Sequence, residues 1–134
     1  PEAALAPAIG TLERAQYYQW MFNLVNPLQA AMRHWWYPAE ASGEANVEAT
    51  QLAVRERVEK CWDRLDAHLA ANGPYLLGDK ISAADFMLTM LMRWTRNMPK
   101  PGTDWPHLNA LATKMKARPS FKTLYEREGL TAWA

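Results

Sequence analysis

The chain has 134 residues, room for one compact domain and little for two. Hydrophobic residues make up 49% of it, enough for a packed core and too many for a disordered chain. Lys plus Arg total 15 and Asp plus Glu 14, so the net charge is +1, without the basic excess that nucleic acid favours. No apolar run reaches the roughly 18 residues needed to span a bilayer. Neither nucleic acid nor a membrane is therefore an expected partner.

The first ten residues are rich in Ala and Pro and read as an extended linker. They lack the charged-then-apolar layout of a signal peptide. The opening at Pro1 rather than Met suggests a piece of a longer protein. The single Cys61 has no partner for an internal disulfide, which fits a reducing, cytoplasmic setting.

Thr11 is a good N-cap, with Glu13 suited to the positive end of a helix. Leu12, Tyr17, Met21, Leu24, Leu28, Met32 and Trp35 then recur at steps of mostly three and four, predicting a long helix over about 12–37. Pro27 lies inside it and predicts a kink near 23–26. Pro38 ends it, and residues 39–46 read as a loop. Asn46 is the expected cap of a second long helix, about 47–71, with an apolar stripe of Val54, Val58, Cys61, Trp62, Leu65 and Leu69. Asn72-Gly73-Pro74 stops it. Two long helices joined by a short loop predict an antiparallel hairpin.

The stretch Ile81–Phe86 carries the strongest local signal. Ser82 is an N-cap and Asp85 follows at the position from which a carboxylate reaches back, while Ile81 and Phe86 flank them as a hydrophobic staple. These open a third helix, about 83–97, whose largely apolar surface places it at the centre of a bundle. Asp104 is the expected cap of a fourth helix, about 105–117, and Ser120 of a short fifth, ending near Glu128 and Gly129. Trp133 follows in the tail with nothing local to cover it. The fold class is thus all-α, a bundle of about five helices.

This order of elements resembles the C-terminal helical domain of cytosolic, bacterial-type glutathione transferases. The residues that carry the resemblance are Gly78-x-x-Ile81-Ser82-x-Ala84-Asp85, the run Ala117-Arg118-Pro119-Ser120-Phe121, and the opening Glu13–Trp20, ERAQYYQW. It covers about 11–128. The resemblance implies that residues 11–134 are the helical domain and residues 1–10 the linker from a thioredoxin-like N-terminal domain. That missing domain would hold most of the glutathione site and the group that activates the thiol, so no catalytic residue is assigned here. The helical domain would supply a wall of the pocket for a small hydrophobic electrophile and, through its first two helices, most of a homodimer seam.

Candidate substrate-binding residues fall on two helices. Asn26, Gln29, Arg33 and Trp36 follow steps of three and four beyond the proline. In thiol-active bacterial members the matching stretch lines the cleft, and Gln29 falls where such members can carry a His. That departure leaves it a hydrogen-bonding role. Arg33 offers a cation to a carboxylate of glutathione or substrate. Met87 and Trp94 stand seven apart on the third helix, and Arg93-Trp94 resembles a pair whose Trp borders glutathione. Ser82 and Asp85 are structural caps. Cys61 reads as a core thiol, and His34, His68 and His107 lack metal spacing, so no metal is expected. The parent is expected to be a transferase using glutathione as co-substrate. It would join glutathione to electrophiles or reduce disulfides or peroxides, with this piece inactive alone. The alternative is a non-enzymatic protein-interaction module of the same fold.

Overall fold

A computed structural model describes residues 4–131 and 133. Seven α-helical segments follow one another: α1 Leu12–Asn23, α2 Ala30–Trp36, α3 Pro38–Ser42, α4 Val47–Asn72, α5 Ala83–Trp94, α6 Pro106–Lys116 and α7 Pro119–Arg127. Among the described residues there is no strand, only two isolated bridges in the loop before α5. The all-α expectation holds.

The first helix is one continuous rod, as the periodicity predicts, but its middle is π-helical over Leu24–Gln29, joining α1 to α2. Pro27 sits inside that stretch. A proline in a regular α-turn clashes with the preceding carbonyl, and the wider turn relieves it. The expected kink is therefore a local change of helix type. Thr11 caps α1 as predicted, its Oγ1 accepting from the Arg14 N–H at 3.2 Å. Leu12, assigned to the inner stripe, is instead 74% exposed, because it precedes the part of α1 that packs.

Three other expectations are corrected. Residues 38–46 are not a plain loop: Pro38 opens α3, and a 3-10 turn follows at Glu44–Asn46. Proline at a first helical position starts a helix as readily as it ends one. Asn46 does not cap α4 through its side chain, which donates back to the Ser42 carbonyl. The caps proposed for the last two helices also move. Asp104 ends a 3-10 turn, and Ser120 lies inside α7, behind Pro119 at its start.

The core forms where α4 lies against α2 and α6, and α5 lies against α1, the π-helical stretch and α6. Trp62, Leu24, Leu28, Met32, Leu88, Leu91 and Met115 are fully enclosed there. The α4 stripe read from the sequence is the buried set observed. α5 is central as expected, with Ala84, Asp85, Leu88, Thr89, Leu91 and Met92 buried along it.

Between α4 and α5 the chain turns at Gly73, where any Cβ would overlap the Leu69 carbonyl oxygen. The predicted capping box then closes. The Ser82 N–H and Oγ donate to Asp85 Oδ2 at 2.8 and 3.0 Å, and the Leu76 N–H donates to Oδ1 at 2.8 Å. Asp85 is fully buried. Burial pushes its carboxyl above the ordinary value, and the three donors oppose that shift without cancelling it. Ile81 and Phe86 are partly buried against the core on either side.

The segment before α1 is seated on the same junction. The Ala83 N–H, first in α5, donates to the Leu5 carbonyl at 2.8 Å, and Arg14 Nη1 donates to the Pro7 carbonyl at 2.8 Å. Pro1, Glu2 and Ala3 of the predicted linker lie outside the described residues.

Candidate functional site

α2 and α5 bring two of the predicted residues together. The rings of Trp36 and Trp94 meet edge to face, centroids 5.4 Å apart at 65°. Trp36 is 45% exposed and Trp94 partly buried against the core. The pair is therefore an apolar ledge with one side open, a surface suited to holding a small ligand. Met87 lies two turns before Trp94 on α5, partly buried against the core.

The other candidates lie further out. Gln29 closes the π-helical stretch and is half-buried, while Asn26 lies within that stretch and is exposed. The wider turn inserts an extra residue, so regular steps from Asn26 do not continue the α2 stripe. Arg33 is exposed and already engaged. Its Nη2 meets Glu40 Oε2 on α3 at 2.6 Å, and its guanidinium lies over the Tyr37 ring at 5.3 Å. An exposed ion pair of this kind is worth little and gives way to a better acceptor. α3, absent from the sequence reading, is what supplies Glu40.

Two polar anchors on α4 went unnoticed in the sequence. Asp66 accepts from the His107 N–H (2.7 Å), the Leu108 N–H (3.0 Å) and His107 Nδ1 (3.0 Å). Asp63 accepts from Trp105 Nε1 at 2.8 Å. Asp66 thus satisfies the opening N–H groups of α6, the work assigned to Asp104, while Asp63 holds the indole of the residue before the helix. Desolvation acts to raise the Asp66 carboxyl, but the His107 side chain and the two backbone N–H groups outweigh it and hold the carboxyl below its ordinary value. The only signal was a pair of acids three apart on α4, with a Trp-Pro-His run 41–42 residues further along the chain.

Cys61 is buried, as the stripe implied, with Arg64 Nη2 3.9 Å from its sulfur. His68 Nε2 lies 2.9 Å from the Leu76 carbonyl, and its ring packs on Trp20. Among the described residues no group of His, Cys, Asp or Glu could hold a metal ion, and no helix is long and apolar enough to cross a membrane.

Comparison with known proteins identifies the class. The family described as the glutathione S-transferase C-terminal domain matches residues 28–128, and the chain belongs to it. Among solved structures, a sphingomonad glutathione S-transferase complexed with glutathione superimposes with a TM-score of 0.82 at 26% identity, over 98% of this chain and 62% of that one. Elongation factor 1-gamma of Artemia salina is 35% identical over 78 residues, 58% of this chain and 18% of its own length. Tetrachloro-P-hydroquinone reductive dehalogenase of Sphingobium chlorophenolicum is 36% identical over 89 residues, 65% of this chain and 32% of its own. The chain thus spans less than two thirds of the length of each of these relatives.

Proposed function

We propose that this chain is the helical half of a cytoplasmic glutathione transferase, following a thioredoxin-like domain to which residues 1–10 connect. It forms one wall of the cleft for glutathione and a small hydrophobic electrophile. The parent joins glutathione to that electrophile or reduces a disulfide or peroxide, and pairs into a homodimer through α1 and α4. The observation that carries the reading is the family match over residues 28–128. The Trp36–Trp94 ledge supports its location, with Arg33 on α2, Gln29 and Asn26 on the π-helical stretch before it and Met87 on α5 as the further candidates. The exposed cation of Arg33 suits a glutathione carboxylate, exchanging Glu40 for it.

The chemistry needs a thiolate, and the unperturbed thiol pKa is roughly 8.5. The ledge offers two indole N–H groups and no base, so the activating group is assigned to the thioredoxin-like domain. The 134-residue piece is accordingly inactive in a conjugation assay in which the longer protein is active. Trp94→Ala in the longer protein raises the KM for glutathione roughly tenfold, as expected for about 1.4 kcal/mol of lost ring contact. An unchanged KM removes Trp94 from the site. Full activity in the 134-residue piece overturns the division of labour.

A second reading, a non-enzymatic interaction module, draws on the likeness to elongation factor 1-gamma. Retention of the longer protein on immobilised glutathione favours the enzyme. No retention, with one partner co-purifying in fixed ratio, favours the module.

A further inference from the structure

Between Arg14 and Arg55 the sequence holds a single Lys or Arg, which is Arg33, one turn before Trp36 on α2. Its charge is already met. Arg33 Nη2 lies 2.6 Å from Glu40 Oε2, and the Tyr37 ring flanks the guanidinium at 5.3 Å. The pair spans the corner between α2 and α3, whereas Arg55 and Glu59 pair along one helix, α4. Pro38 opens α3 and Gly43, at φ +75°, closes it. Ser42 Oγ donates to the Pro38 carbonyl at 3.1 Å and accepts from Thr50 Oγ1 on α4 at 2.6 Å. Gln51 Nε2, also on α4, donates to the Trp35 carbonyl at 3.2 Å. The short helix and the end of α2 are thus pinned to α4, which keeps the Glu40 carboxylate within reach of Arg33.

We propose that Glu40 is a specificity-determining residue, an intramolecular competitor that a ligand carboxylate must displace from Arg33. That the ligand is glutathione rests on the reading above; the competition itself does not. A ligand without a carboxylate gains nothing at Arg33 and is not held back by Glu40. A carboxylate ligand is weakened in proportion to the time the cation is already taken, because only the open fraction is competent to bind. The carboxylate is tethered on α3, so it competes at a high local concentration even where free anions are dilute. An exposed ion pair is modest in strength, and its closed form outweighs its open form by only a few-fold. The device therefore tunes affinity by about threefold and does not shut the site. Glu44 and Glu48 carry the same charge nearby in the chain, but among the described residues neither pairs with a cation. The effect belongs to Glu40 by its position and not to net charge.

The test is an NMR titration of the full chain that follows the guanidinium resonance of Arg33, assigned by its loss in Arg33→Leu. The titrants are glutarate and glutaramide, its neutral counterpart, with ionic strength held constant by sodium chloride. Glutarate is expected to move the resonance and glutaramide to leave it in place. Glu40→Gln should lower the half-saturating glutarate concentration about threefold. Glu44→Gln, which removes the same charge from the next turn, should leave that concentration where it was. A resonance that glutarate does not move, equal half-saturation with and without the Glu40 carboxylate, or the same gain in Glu44→Gln overturns the proposal. Glutathione takes no part in the titration. Failure here leaves the transferase reading standing, and loss of glutathione retention by the longer protein leaves this competition standing.

Discussion

Asp85 ties the loop before α5 to the start of that helix. It is fully buried and accepts three hydrogen bonds, from the loop at Leu76 and from both donors of Ser82. Removing it strands those donors in a dry environment. Asp85→Ala is expected to destabilise the chain by about 1–3 kcal/mol, the range for losing a cap and a buried charged hydrogen bond. Urea melts of the two proteins measure this, and coincident midpoints would refute it. This residue was legible in the sequence because a capping box is a local pattern: the cap, the reaching carboxylate and the flanking apolar pair all lie within six residues. Its third partner, the Leu76 N–H, was not legible, since nothing in the spacing says which way the preceding loop folds.

Elements repeat the lesson. The helices α4 and α5 were readable from period and punctuation, because each has an apolar stripe and a residue that ends or opens it. α3 was missed because its five residues are too few to show a period. The start of α6 was misread for a different reason: its N–H groups are satisfied from across the fold, by Asp66 on α4. The Trp36–Trp94 meeting is also tertiary, and the sequence supplied the two residues without their contact. The cross-fold cap has a pH signature. The Asp66 carboxyl is held below its ordinary value of 3.8, so its folded form releases protons more readily than the unfolded one. Its contribution to stability is present above 3.8 and disappears as the pH falls through the lower folded value. Asp66→Asn should therefore flatten the acid limb of a stability–pH curve at the bottom of that range. Parallel acid limbs in the two proteins would exclude Asp66 as a source of it.

At the scale of the whole molecule, one side of the first rod is conspicuously apolar and open. Tyr18 is 46% exposed, Phe22 66% and Val25 40%, and on α4 Leu52 is 58% exposed. Single exposed apolar residues are ordinary, but several on two neighbouring helices suit a covered face. If the homodimer seam uses this face, Phe22→Asp shifts the longer protein toward monomer in sedimentation equilibrium. An unchanged mass would place the seam elsewhere. The seat of Leu5 on the first amide of α5 carries a practical corollary for anyone trimming the chain. Cutting at Thr11, where the helix pattern starts, would hand that amide to water and leave the Arg14 guanidinium without its Pro7 acceptor. The useful edge of the helical unit therefore falls at about Leu5, ahead of the first helix, and shorter versions would begin life with a loosened α5.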